Sequence, residues 1–357
     1  MYMIGLGTAT PPRRYTQTEC WEAFQSSPQF ADLTPRARTI LETVLLGKNG
    51  ITSRCLALDS LKDAFDLQPD VLHRRFADHA PRLATDAAWR ALREANRQAD
   101  DIEAVIISTC TGYLCPGLTS YVAENLGLRR DVIALDLVGQ GCGAALPNLR
   151  MADALLAAER CHYVLSISVE ICSAAFYLDN DPGVLVSACL FGDGAGAAVL
   201  SSKPHTKNRR IRWTTSGSTL VPTERDTLRF EQQQGMLRNI LHRSVPTLAA
   251  TQAEAVLDEV LSNAGVSRRE IQTWIWHAGG RDVLDAVQLR LSLSAEDLHW
   301  SRTMLNEYGN LSSAFVYFVL QEAIRNHAPG GRWWLSSFGA GFSCHGALLE
   351  VGEAQSS

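Results

Sequence analysis

The 357 residues are about 2.4 times the ~150 of an average domain, which excludes a small module and fits two fused units or one large duplicated domain. Hydrophobic residues make up 46% and charged residues 20%, so the chain can bury a large core, and 26 Gly with 13 Pro are too few for a low-complexity polymer. Thirty-three basic against 38 acidic residues leave a net charge of −5, which offers no general field to a polyanion, so no nucleic-acid partner is expected. The apolar run at 314–320 is far short of the roughly 20 residues a membrane-spanning helix needs. Met1 to Gly7 carries no basic segment followed by a long apolar stretch, so no secretory leader is expected. Nine cysteines, an odd number scattered from Cys20 to Cys344, form no paired framework, and reduced thiols in a cytoplasm are the expectation.

In chain order, strand and helix signals alternate, which favours an α/β class with a mostly parallel sheet. In the first half, apolar runs read as strands at 104–109, 132–138, 163–169 and 196–201, with helical patterns at 84–98, 118–126 and 145–160. The polar, basic stretch Ser202 to Arg210 interrupts the pattern and marks the best single boundary. Beyond it come a strand at 210–215, a helix at 249–264, a strand at 273–277, a helix at 311–326 and a strand at 333–337. Both halves close alike: Phe191-Gly192-Asp193-Gly194 and Phe338-Gly339-Ala340-Gly341 each place a glycine turn before an apolar strand. The repeated order suggests an internal duplication.

Thiol chemistry concentrates at Asp136-Leu137-Val138-Gly139-Gln140-Gly141-Cys142-Gly143, where an apolar strand runs through a glycine-flanked cysteine into a helix. Gly141 and Gly143 permit a tight turn. A thiol at a helix start meets unpaired N–H groups and the positive end of the helix dipole, which favour thiolate. Cys142 therefore reads as an activated nucleophile, although an arbitrary cysteine is more often a small buried hydrophobe. A cysteine nucleophile needs a base or an electrostatic partner. His277 ends the apolar run Trp274-Ile275-Trp276 and precedes Ala278-Gly279-Gly280, and Asn310 stands in Tyr308-Gly309-Asn310-Leu311-Ser312-Ser313 before a helix. Singly, His277 reads as a core histidine and Asn310 as a helix N-cap; with Cys142 they form a constellation that chance explains poorly. Cys110 and Cys115 could be half of a metal site, but no second pair stands at ligand spacing, so no metal is expected.

These segments, with Phe191 to Gly194 and Thr111-Gly112-Tyr113-Leu114-Cys115-Pro116-Gly117, resemble the type III polyketide synthases, the chalcone and stilbene synthase superfamily. The resemblance runs in register from Ile4 to the last strand. The phrases starting at Phe191 and Asn49 are shared with ketoacyl-ACP synthases of the initiating type, whereas the His277 and Tyr308 phrases favour the polyketide branch. Val169-Glu170-Ile171-Cys172-Ser173-Ala174-Ala175-Phe176 looks more like its bacterial members, including dihydroxyphenylacetyl-CoA synthases. The resemblance implies a thiolase fold, five αβαβα layers built from two pseudo-symmetric halves, residues 1–202 carrying the cysteine and 210–357 the histidine and asparagine, in a homodimer. It also implies iterative decarboxylative condensation of malonyl-CoA onto an acyl-CoA starter, with cyclisation to a small aromatic or pyrone product and no cofactor. A ketoacyl-ACP synthase-like single condensation is the alternative.

By resemblance, Cys142 carries the chain while His277 and Asn310 hold the thioester carbonyl; two fixed donors there stabilise the enolate left by loss of CO2. A Cys–His pair would also lower the thiol pKa from about 8.5. Phe191 becomes a gatekeeper between a CoA tunnel and a cavity, unless it is simply a core aromatic. Cys110, Thr111, Cys172, Ala175 and Ser312 become cavity residues, and the small side chain of Ser187 adds to that space. Cys115 falls where the family sends a side chain into the partner's cavity, and Lys48 and Arg54 fall where relatives meet CoA phosphates. A second gatekeeper aromatic is expected near 235–240, yet the nearest is Phe230. Ala340 and Ala278 stand where the family, or its plant members, have proline.

Overall fold

The computed structural model describes residues 1–47, 49–204 and 209–353. The chain opens with β1 (Tyr2–Ala9) and the short β2 (Arg14–Thr16). Helices α1 (Gln17–Ser26), α2 (Pro28–Asp32) and α3 (Pro35–Leu46) precede β3 (Ser53–Cys55), which pairs back on β2. Then come α4 (Pro69–Glu94), β4 (Ala104–Ser108), α5 (Leu118–Leu126), β5 (Ile133–Leu137), α6 (Ala145–Ala157), β6 (Tyr163–Glu170), α7 (Pro182–Leu190) and β7 (Gly194–Ser201). The remainder is β8 (Ile211–Leu220), β9 (Leu228–Gln233), β10 (Met236–Leu241), α8 (Val245–Ala264), β11 (Ile271–Trp276), α9 (Arg281–Leu291), α10 (His299–Tyr308), α11 (Phe315–Arg325), β12 (Gly331–Gly339) and β13 (Ser343–Val351).

Nine strands follow the order β11-β12-β13-β8-β1-β7-β6-β4-β5. Two sheets meet in it, since β1 and β8 share only the pairs Tyr2–Arg212 and Met3–Ile211. In the first sheet β4 runs parallel to β6, β6 antiparallel to β7, and β7 antiparallel to β1. The second repeats those senses: β11 parallel to β12, β12 antiparallel to β13, β13 antiparallel to β8. The first alone carries an extra parallel edge strand, β5, on β4. The sheet is therefore mixed, not mostly parallel as expected, because one strand of each repeat, β7 or β13, runs antiparallel to both of its neighbours.

The helices complete five layers. α4 and α5 cover the outer face of the first sheet, α8 backed by α9 covers the second, and α6 and α11 lie between, touching strands of both. The central helices pay for their position in apolar side chains: α11 is buried at seven successive positions, Phe315 to Gln321, and α6 buries Ala145, Leu146, Leu149, Ala152 and Leu156. Gly5 and Gly7 let β1 lie against α4, where a Cβ would stand 2.2 Å from the carbonyls of Ala91 and Ala87.

Some boundaries differ from the sequence reading. α4 starts at Pro69 rather than 84, because Pro81 is accommodated within a helix it would ordinarily interrupt, and it ends at Glu94 rather than 98. The helix expected from 311 is a 3-10 turn, Ser312–Ala314, followed by α11. Phe338 lies inside β12, so the turn there falls after Gly339, whereas Phe191 lies outside β7 and forms an isolated parallel bridge with Asn310. The β9–β10 hairpin, unforeseen from sequence, turns on Gln234 (φ 52°) and Gly235 (φ 78°), the two positive-φ positions of a two-residue hairpin loop. The 205–208 part of the expected boundary lies outside the described residues.

Candidate active site

Edge strand β5 delivers Cys142 on a 3-10 turn, Gly141–Gly143, that leads directly into α6. The flanking glycines are sterically required. Gly141 has φ 58° and faces the Ala340 amide at 2.8 Å from a would-be Cβ; a Cβ on Gly143 would stand 3.0 Å from the Gly339 nitrogen. The nucleophile turn of the first half thus packs against the β12–β13 connection of the second. Ser312 Oγ donates to Cys142 Sγ over 3.1 Å.

His277 ends β11, its N–H bonded to the Ser336 carbonyl at 2.9 Å, and its ring stands edge-on to Phe315. Asn310 follows Gly309 (φ 68°) and donates its own N–H to the Leu190 carbonyl at 2.8 Å. Both are 2% exposed, so neither is a surface residue. His277 Nε2 lies 3.2 Å from Asn310 Oδ1, which also accepts the Ser312 N–H at 2.9 Å; Asn310 Nδ2 donates to the Gly279 carbonyl at 3.2 Å. Asn310 therefore bridges two residues forward into a 3-10 turn instead of capping α11, which Ala314 precedes. Burial pushes the His277 pKa down to about 4, against the weaker pull of Asn310. His277 Nε2 thus faces the Asn310 amide oxygen, and the Cys142 sulfur is met by the Ser312 hydroxyl.

Cys142, His277 and Asn310 line one cavity of about 550 Å³, with Phe191 and Asn239 at its inner end and Arg243 and Arg281 among its polar wall residues. A second, tighter cavity of about 60 Å³ takes in Cys110, Thr111, Cys172, Ala175, Ser187 and Ser312. Phe191 and Asn239 line both spaces, and so form the partition. Asn239 Nδ2 donates to Ser187 Oγ at 2.6 Å, and Phe230 is its cross-strand partner in the hairpin. Asn239 thus shares the partition with Phe191, and Phe230, the aromatic nearest 235–240, stands on the wall of the smaller cavity.

Glu170 ends β6 fully buried, at a position to which the sequence pattern assigned no role. Its carboxylate accepts from the Cys110 N–H at 3.0 Å, Thr111 Oγ1 at 2.9 Å, Ser312 Oγ at 3.3 Å and Ser313 Oγ. Burial raises its pKa against those donors. A charged residue closing an otherwise apolar strand was the available signal. The Cys110 thiol is pushed well up, first by its hydrogen bond to Cys142 and then by burial; that of Cys172 is pushed well up by burial.

One expected CoA contact falls away from the phosphate role. Arg54 is 4% exposed and donates to the carbonyls of Ala188 and Phe191 at 2.8 and 2.9 Å, so it braces the chain at Phe191 from within the protein and presents no surface cation. Lys48 lies outside the described residues. Cys115 is exposed and lines neither cavity described here, beside the exposed Tyr113 and near the β5 edge with Ile133 and Val138. Among the described residues no group of His, Cys, Asp or Glu could hold a metal ion, and no helix is long and apolar enough to cross a membrane.

Family sequence models match two adjoining stretches: FAE1/Type III polyketide synthase-like protein over residues 11–216, and Chalcone and stilbene synthases, C-terminal domain, over 213–350. The 3,5-dihydroxyphenylacetyl-CoA synthases of Streptomyces toyocaensis and Amycolatopsis orientalis are each 29% identical, over 98% and 97% of this chain and 89% and 92% of theirs. Among solved structures, 1,3,6,8-tetrahydroxynaphthalene synthase from Streptomyces coelicolor A3(2) superposes with a TM-score of 0.88 at 25% identity, covering 99% of this chain and 100% of that one. PKS-I from the brown alga Ectocarpus siliculosus does so with 0.90 at 26% identity, over 98% and 97%.

Proposed function

The chain belongs to the type III polyketide synthase family, and from that premise we propose that it condenses malonyl-CoA units onto an acyl-CoA starter carried by Cys142. The observation that carries this reading is the meeting of Cys142, His277 and Asn310 on one cavity wall. Cys142 attacks the starter thioester and releases CoA. Malonyl-CoA then enters the larger cavity, and loss of CO2 leaves an enolate whose oxygen takes hydrogen bonds from His277 and Asn310. Fixed donors aimed at developing charge contribute a factor of about 10² to 10³ each. The enolate carbon attacks the Cys142 thioester and expels the Cys142 thiolate, which leaves the extended chain on CoA; transfer back to Cys142 releases CoA for the next round, and the chain grows past Phe191 and Asn239 into the inner cavity.

That inner wall is small at Cys110, Cys172, Ala175 and Ser187, so it bounds the chain by shape and guides cyclisation to a small aromatic or pyrone product. Arg243 and Arg281 offer cations to the CoA phosphates in place of Arg54. The chemistry needs no metal or redox cofactor, since the electron sink is the thioester itself. Residues 1–202 and 210–357 act as two halves of one duplicated unit, the first supplying the nucleophile and the second its donors; the repeated strand senses and the adjoining family matches support that division. A homodimer closes the β5 edge, where Ile133 on the strand and Val138 just beyond it are 37% and 55% exposed and the strand has one free side.

The test is to incubate the purified protein with malonyl-CoA and a panel of starter thioesters and to read both products and protein by mass. We expect chain-extended products together with an acyl mass shift on the Cys142 peptide. Acylation of Cys110 in place of Cys142 refutes the assignment.

A further inference from the structure

Asn239 is a polar side chain set into a partition between two spaces. It stands on β10, is 7% exposed, and lines the larger cavity and the inner one together with Phe191. Val186, Leu190, Leu228 and Leu241 line the larger cavity with it. The preceding residue, Arg238, turns the other way, to Asp179 and Glu231, as alternation along a strand requires.

The orientation of the carboxamide follows from its protein partner. Ser187 Oγ gives its only proton to the Gly183 carbonyl at 2.7 Å, so toward Asn239 it can only accept. The Asn239 atom 2.6 Å from it is therefore the N–H donor, Nδ2, which turns Oδ1 away. Among the described residues no donor reaches Oδ1, and that oxygen is not sealed within the protein, so it opens on the space that Asn239 lines.

An amide oxygen in such surroundings costs free energy until a donor meets it. The growing chain is what crosses this partition, and its chemistry changes with each extension. A saturated acyl chain brings only C–H groups past Oδ1. Once extended, the chain carries two carbonyls flanking one methylene, and such a unit enolises to give a hydroxyl donor. We propose that Asn239 Oδ1 accepts a hydrogen bond from the enol hydroxyl of the β-ketoacyl chain and holds the extended chain across the partition for further rounds. Asn239 is then a specificity-determining residue: it distinguishes an extended chain from an unextended one and sets how many extensions precede release. It binds and takes no proton, so no covalent step is involved. The proposal rests on the reading of Cys142 as the carrier of a growing polyketide.

The test is to incubate hexanoyl-CoA and malonyl-CoA with the parent, Asn239→Leu, Asn239→Asp and Ser187→Ala, and to sort the products by number of extensions using mass. One hydrogen bond contributes a net factor of about two to ten. Asn239→Leu should therefore lower the ratio of the most extended product to shorter ones by about that factor. Asn239→Asp, isosteric and still bearing an acceptor oxygen, should stay nearer the parental ratio. Ser187→Ala frees the amide from its anchor and should shift the ratio in the same direction as Asn239→Leu but by less; it also serves if Asn239→Leu does not fold. Equal shifts in Asn239→Leu and Asn239→Asp would mean that shape alone matters, and would overturn the proposal. So would a parental ratio in folded Asn239→Leu and Ser187→Ala. A KM raised alike for malonyl-CoA and hexanoyl-CoA at an unchanged product ratio would place the amide on the CoA arm instead, and likewise overturn it. Failure of the parent to form any condensed product from any starter thioester overturns the underlying reading instead.

Discussion

The two sides of Cys142 are built from opposite materials. Toward the larger cavity stand His277 and Asn310, neutral and amide-like, held by main-chain bonds at the ends of β11 and α10. Toward the inner cavity stands Glu170, an acid buried among hydroxyl, thiol and amide donors. The first side can stabilise negative charge that develops on a substrate oxygen; the second holds the inner wall in place through Cys110, Thr111, Ser312 and Ser313. Separating these tasks lets decarboxylation and chain extension be disturbed independently, and that is where the comparison can be broken.

The largest effect is expected on the donor side. Asn310→Ala should lower malonyl-CoA decarboxylation by about 10² to 10³, the usual cost of one preorganised donor, while the protein remains folded. Measured decarboxylation rates and melting temperatures decide the point. A mutant that decarboxylates at the parental rate but melts several degrees lower would reduce Asn310 to a brace for the Ser312 turn, since its Oδ1 does hold that amide.

A smaller and more selective effect is expected deeper in. Cys172→Leu or Ala175→Leu enlarges a wall residue of the inner cavity and leaves His277 and Asn310 untouched. Product profiles should shorten or reroute while decarboxylation persists. Overpacking costs about 1 to 3 kcal/mol, so a cooperative melt is the precondition of the comparison. An unchanged profile from well-folded protein would show that these residues do not face the growing chain.

The donor side was legible in the sequence and the acceptor side largely was not, for physical reasons. Cys142 announced itself through flanking glycines that its turn requires, and His277 and Asn310 through their places at the ends of a strand and a helix. Glu170 gave no pattern beyond one charge closing an apolar strand, because its role depends on Ser312 and Ser313, more than 140 residues away. Arg54 misled because a cation in a loop-rich segment reads as surface, whereas here its guanidinium is consumed by two buried carbonyls. Asn239 was invisible because the hairpin that carries it lacked strong strand patterning, yet it shares the partition with Phe191. The repeat was visible in element order; the antiparallel returns that make the sheet mixed were not, since strand sense depends on tertiary pairing.

The central claim is that thiol and donors act separately, and Cys142→Ala tests it most directly. Its malonyl-CoA decarboxylation should be followed between pH 5.5 and 8 alongside a search for condensed product. With the His277 pKa pushed down to about 4, the imidazole keeps the same neutral form across that range. The account predicts no chain-extended product and a decarboxylation rate that persists and stays level with pH. Condensed product at a near-parental rate, or decarboxylation that falls as the pH rises through about 6.5 as an imidazolium donor would require, would contradict it.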